Sequence, residues 1–99
     1  MQTTDAILST IRAHSSQLQA CGVSRIGVFG SASRGDMSPT SDVDVLIDFQ
    51  EGKKTYKNFI STTHTLEQAL QLPVDAVTAG SISPYIKPYI EKDIRYVQI

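Results

Sequence analysis

A chain of 99 residues, 40% hydrophobic and 19% charged, has the make-up of one small folded domain spanning residues 1–99 and not of a disordered segment. Nine Lys and Arg against ten Asp and Glu leave a formal charge of −1, too little positive charge for a general DNA or RNA binder, so no direct nucleic-acid partner is expected. Cys21 is the only cysteine, which excludes an internal disulfide and a thiolate zinc cluster. The N-terminal stretch carries Asp5 and lacks a basic, apolar leader pattern. No apolar run approaches the roughly 18 residues of a membrane span, so the expected location is the reducing cytoplasm, away from membranes.

In chain order, Ile7, Leu8, Ile11, Leu18 and Cys21 recur at helical spacing and predict one helix from Thr4 to Cys21, stopped by Gly22. Arg25–Phe29 is a short apolar strand running into the turn Gly30-Ser31. Residues 32–41 are small and polar with Gly35 and Pro39, a loop with room for one helical turn. Over 42–49 the pattern alternates: Val43, Val45, Ile47 and Phe49 share one face, and Asp42, Asp44, Leu46 and Asp48 the other.

Beyond a charged turn at 51–54, Tyr56, Phe59, Ile60, Thr63, Leu66 and Leu70 mark a second helix that must end before Pro73. Pro73–Val77 is a short strand opened by its proline. Ser83-Pro84 and Pro88 offer two starting points for a last helix, and Arg95–Ile99 closes the chain as a short edge strand. This order predicts an α/β (α+β) fold, a small mixed sheet of three to four strands with helices packed on it.

Chemistry concentrates between Gly30 and Ile47. Asp42 and Asp44, two apart on one strand, project from one face about 6 to 7 Å apart, and the apolar opposite face anchors them. Hard carboxylate oxygens suit Mg²⁺, an ion usually completed by substrate phosphates, so the pair suggests a nucleotide-phosphate site. Gly30 allows backbone amides to approach an anion, Ser31 adds a hydroxyl donor, and Arg34 offers a fork for phosphate. Asp75 joins them only if the Asp42 and Asp75 strands are neighbours.

Gly-Ser, ten intervening residues, then Asp-x-Asp in an apolar strand resembles the motif of the DNA polymerase β-like nucleotidyltransferase superfamily. The stretch GSASRGDMSPTSDVDVLIDF is similar to its smallest branch, the minimal nucleotidyltransferases (MNT), antitoxins of HEPN/MNT toxin–antitoxin pairs. The resemblance covers essentially the whole chain and is most specific from Gly30 to Asp48. It implies a nucleotidyltransferase-like core in which Asp42, Asp44 and Asp75 bind two catalytic Mg²⁺ ions. Gly30 and Ser31 would hold the triphosphate of ATP and Arg34 would assist there, while Asp75 helps deprotonate the attacking hydroxyl.

The implied activity is that of a type VII-like antitoxin. It transfers AMP to a tyrosine hydroxyl of a cognate HEPN ribonuclease toxin and so inactivates it. Two alternatives stand beside it: neutralisation by binding without transfer, and nucleotidyl transfer to a small molecule such as an aminoglycoside. Larger members carry an acceptor-binding domain for which this chain has no room, so acceptor binding must come from a partner protein or from a second copy in a homodimer or hetero-oligomer.

Other polar residues read as structural. Asp48 and Glu51 are expected as solvated strand-end charges, and Arg34 has Asp36 as an alternative partner within its loop. His14 and His64 sit in helical segments without a second histidine at ligand spacing. Lys53, Lys54 and Lys57 form a small basic cluster at a helix start. Tyr85, Tyr89 and Tyr96 suit packing over the sheet and anchoring at an interface equally.

Overall fold

The computed structural model describes residues 3–35, 38 and 41–99. Its elements are α1 (Thr4–Ala13), α2 (Ser15–Ala20), β1 (Val23–Phe29), α3 (Ser31–Arg34), β2 (Val43–Phe49), α4 (Tyr56–Leu70) and β3 (Val74–Thr78). A 3₁₀ turn (Ala79–Ser81), α5 (Lys87–Asp93) and β4 (Arg95–Gln98) complete it. The four strands form one mixed sheet in the order β3-β2-β1-β4. β1 runs antiparallel to β2 and β4, and β2 runs parallel to β3 with α4 as the crossover.

Local chemistry explains most boundaries. The Thr3 side chain accepts a hydrogen bond from the Ala6 amide at 3.1 Å and caps α1, whose first turn carries Asp5 and last turn Arg12. Thr55 caps α4 in the same way, accepting from the Asn58 amide at 3.1 Å. That cap places Lys53 and Lys54 before the helix. α4 ends at Gln71, which takes a left-handed conformation at φ 56°, two residues short of Pro73.

The single N-terminal helix expected from periodicity is two helices. At His14 (φ −104°, ψ 18°) the backbone amide bonds to Ile11 O, tightening the turn, while the ring Nδ1 engages Thr10 O at 2.8 Å. The apolar stripe nevertheless survives the break, because Ile7, Ile11 and Leu18 are all fully buried. Of the two proline starts for the last helix, the later one holds: α5 begins at Lys87 with Pro88 in its first turn.

α1, α2 and α4 cover one face of the sheet. The core there joins Ile7, Ile11, Leu18, Leu66 and Leu70 to Ile26, Val28, Val43, Val45, Ile47 and Val97. The face of α4 differs from the one its periodicity suggests: Thr62 is fully buried, its hydroxyl bonded to Asn58 O at 2.7 Å, whereas Tyr56 and Ile60 are exposed. Leu66 is fully buried in this core, so Leu66→Ala is expected to cost about 2–5 kcal/mol of stability in urea unfolding. Among the described residues no helix is long and apolar enough to cross a membrane.

The alternation of β2 leaves Asp44, Leu46 and Asp48 on the opposite face, which α5 and the Ile94–Tyr96 segment partly cover. Gly27 makes this covering close, since a side chain there would collide with Ile94 and Tyr96. Asp48 is not a solvated strand-end charge. Its carboxylate accepts a hydrogen bond from Arg25 Nε at 2.5 Å, and the Arg25 guanidinium lies 3.8 Å from the centroid of the Tyr96 ring. Strand pairing brings Arg25 opposite Asp48, a proximity that linear sequence conceals.

Candidate active site

The condition on Asp75 is met by the topology. β2 and β3 are hydrogen-bonded neighbours in a parallel register that pairs Asp44 with Asp75, so the two residues share one face of the sheet on strands that lie about 4.8 Å apart. Asp42 lies immediately before β2 and is exposed; the two-residue period puts it on that face as well. On the other side of Asp44, β1 pairs Phe29 with it and then turns at Gly30.

Gly30 occupies φ 68°, ψ −148°, a region that residues with a side chain avoid, and a Cβ built there would strike the Asp44 carboxylate. Glycine therefore serves two needs at once: it allows the reversal from β1 into α3, and it allows Asp44 to pack against that reversal. Ser31 opens α3, and the short helix is held by Ser33, whose hydroxyl donates to Gly30 O at 3.0 Å. The single helical turn anticipated in the 32–41 loop is this element, Ser31–Arg34.

Electrostatics single out Asp44. Burial, then the Asp75 and Asp42 carboxylates, hold its carboxyl above the usual value, and Arg34 offsets part of that rise. Charge of one sign is thus gathered around a half-buried group, an arrangement that a bound cation would relieve. Among the described residues no three carboxylate, imidazole or thiol groups converge as a ready-made metal cage. The oxygen-only donors nevertheless fit a hard divalent ion such as Mg²⁺, which takes one or two carboxylates and fills its remaining positions with water and phosphate oxygens.

Arg34 stands near enough to act on Asp44 and also forms an ion pair with Asp93, the last residue of α5, at 3.6 Å. The alternative partner Asp36 lies outside the described residues. Asp93 carries no signal in the sequence, since it is far from the motif and joins it only through the fold. His64 is exposed on α4, and His14 serves the helix break described above. Tyr85 and Tyr89 are 86% and 75% exposed, so packing over the sheet accounts only for Tyr96.

The nucleotidyltransferase domain profile matches residues 8–97. The chain belongs to the nucleotidyltransferase domain family. Within it, the chain is 40% identical over 98 residues to the protein adenylyltransferase MntA of Thermococcus cleftensis, with 98% of each chain covered. A solved structure assigned as a minimal nucleotidyltransferase superposes with a TM-score of 0.80 at 26% identity, covering 95% of both chains. The MNT resemblance and the mixed α/β core expected from the motif accordingly hold, and the protein is a nucleotidyltransferase. The fold is shared more distantly with a complex of a tri-AMPylated Shewanella oneidensis HEPN toxin and its MNT antitoxin. That match has a TM-score of 0.61 at 17% identity and covers 90% of this chain and 70% of the other.

Proposed function

We propose that this nucleotidyltransferase is a Mg²⁺-dependent protein adenylyltransferase. It moves AMP from ATP to a tyrosine hydroxyl of a HEPN-type ribonuclease and so acts as that toxin's antitoxin in the cytoplasm, as a single minimal domain over residues 1–99. The observation that carries this reading is the register of Asp44 with Asp75 on adjacent parallel strands, with Asp42 two residues before Asp44 and the Gly30-Ser31 turn beside them. The name of the MntA relative supports the choice of a protein acceptor, and the HEPN complex of the fold neighbour supports the choice of partner.

In the reaction the acceptor oxygen forms a bond to the α-phosphorus of ATP, the bond from that phosphorus to the bridging oxygen breaks, and pyrophosphate leaves. Bound Mg²⁺ would neutralise charge on the phosphates and on the attacking and leaving oxygens. Asp42, Asp44 and Asp75 would hold it. Gly30 and Ser31 present backbone amide and hydroxyl donors to the triphosphate, and Arg34 adds a guanidinium for its outer oxygens. Asp75, on the edge strand β3, would take the proton of an entering hydroxyl. Positioning and charge neutralisation supply most of the rate.

The test is the intact mass of a HEPN-type partner from the same genome after incubation with this protein, ATP and Mg²⁺. A mass gain of one or more adenylyl groups, lost in the Asp42→Ala/Asp44→Ala double variant, is the expected result. An unchanged mass alongside a stable complex would overturn transfer in favour of neutralisation by binding. An unchanged mass without a complex would direct the search to small-molecule acceptors.

A further inference from the structure

Three lysines stand close together where β2 gives way to α4: Lys53 and Lys54 just before the Thr55 cap, and Lys57 in the first helical turn. All three are exposed, and among the described residues none forms an ion pair. Glu51 is the one acidic residue between 49 and 66, so positive charge predominates here in a chain whose formal charge is −1. Cations at a helix N-terminus oppose the helix dipole, and no acidic residue in the first turn of α4 offsets them. The cluster therefore lowers the stability of the free protein with no compensating contact in the fold, a pattern expected where a surface serves a partner.

Apolar surface accompanies the charge. Tyr56 and Ile60, one turn apart on α4, are 82% and 46% exposed. Beside them lies a groove of about 260 Å³, lined by Lys54, Tyr56 and Phe59 from the start of α4 and by Thr78 and Ser81 from the end of β3. That volume falls short of the roughly 300 Å³ of a small-molecule pocket and suits inserted side chains instead. Aromatic and aliphatic surface rimmed by charge has the make-up of a protein-docking patch and not of a solvated helix end.

We infer that this patch docks an acidic surface of the acceptor protein and so holds that protein beside the carboxylate site; the inference rests on the transferase reading above. Position and charge carry it. The Lys54 ammonium lies against the turn that follows β3, 3.3 Å from where a side chain at Gly80 would begin. Gly80 is five residues beyond Asp75, a span of at most about 18 Å of extended chain. A standard interface covers about 800 Å² on each partner, or about 30 Å across, so a protein whose hydroxyl reaches Asp75 on the edge strand has the reach to cover the lysines too. Charge then selects the occupant. Asp42, Asp44 and Asp75 repel acidic groups at the reacting centre, whereas the lysines attract them a short distance away and steer the approach. Three cations next to three carboxylates are too few for a nucleic-acid backbone, which proteins grip through about six to ten phosphate contacts.

The test measures association of the HEPN-type partner with the parent protein and two variants, by biolayer interferometry at low and high salt. Lys53→Glu/Lys54→Glu/Lys57→Glu reverses the charge, and Tyr56→Ala removes the exposed ring. Thermal melts identify folded variants, and Tyr56→Ala decides if the triple variant does not fold. The charge-reversed variant is expected to bind at least tenfold more weakly, chiefly through slower association, and to lose the salt dependence of the parent. Tyr56→Ala is expected to dissociate about tenfold faster. In transfer assays the KM for the partner should rise, while kcat and the KM for ATP stay at parent values. Undiminished partner affinity in the folded charge-reversed variant overturns the docking surface, and continued transfer then leaves the transferase reading standing. Undiminished partner affinity with weakened binding of single-stranded RNA, or with lost self-association, also overturns it, in favour of nucleic acid or of a second copy. Weakened binding of a partner that the parent never adenylylates overturns the transferase reading and leaves the docking surface standing. A parent that does not bind the partner overturns both.

Discussion

Asp44→Asn is expected to abolish adenylyl transfer, by on the order of a thousandfold or more, and at the same time to raise the thermal stability of the metal-free protein. The two effects share one cause. Asp44 is half-buried between Asp75 and Asp42, and both burial and those like charges oppose its ionisation. Asparagine has nearly the same shape and carries no charge, so it relieves that cost while giving up the anionic oxygen that the proposed chemistry requires.

The sign of the pH dependence follows from linkage. The folded carboxyl holds its proton to a higher pH than the unfolded one, whose ordinary value is 3.8, so the folded state binds more protons between the two values. Parent stability from this group therefore falls as pH rises through that window. The gain in Asp44→Asn should be fully present at neutral pH and should vanish on acidification below it. Thermal melts in a metal chelator from pH 3 to 8 read this directly, with an expected rise of a few degrees at neutral pH. Labelled-ATP transfer reads the catalytic loss, and co-purification with the partner should persist. A variant that melts lower than its parent at neutral pH would contradict the account of Asp44 as a strained charge.

Gly30→Ala carries the second large effect, through geometry instead of charge. The positive φ of Gly30 strains any residue with a Cβ, and the new methyl group would occupy space now held by the Asp44 carboxylate. The backbone strain alone should cost about 1–3 kcal/mol in urea unfolding. Displacing Asp44 by a fraction of an ångström to an ångström should add a fall in transfer on the order of a hundredfold. Both losses should appear together. Gly52→Ala makes a useful control, because Gly52 also has a positive φ of 77° but nothing within 4 Å of the added atom, so it should lose stability without losing transfer.

Much of this architecture is legible in the linear sequence because the relevant physics is local. The two-residue period of 42–49 separates Val43, Val45 and Ile47, all buried, from Asp42, Asp44 and Asp48, and nothing distant is needed to read it. The spacing of Ile7, Ile11 and Leu18, the chain reversal at Gly30-Ser31 and the stop before Pro73 are local in the same sense. The motif placed Asp42, Asp44, Gly30, Ser31 and Arg34 within one short stretch, and among the described residues that stretch carries the short helix α3 after β1 and ends in β2.

What the fold alone decided involves residues far apart in the chain. Asp75 reaches Asp44 only because β3 lies beside β2 after a 15-residue helix has crossed over, and sheet order depends on burying the faces of all elements together. The same holds for the ion pair of Arg34 with Asp93, and for Asp48, whose partner Arg25 arrives from another strand. Exposure of Tyr85 and Tyr89 likewise depends on how α5 meets the sheet, not on their own chemistry. The sequence by itself thus determined which residue types share a strand face and where the chain must turn, because those are set by backbone periodicity and side-chain sterics over a few residues. Tertiary structure decided which strands stand together, and hence which carboxylates meet, because that choice is settled by packing summed over the whole core.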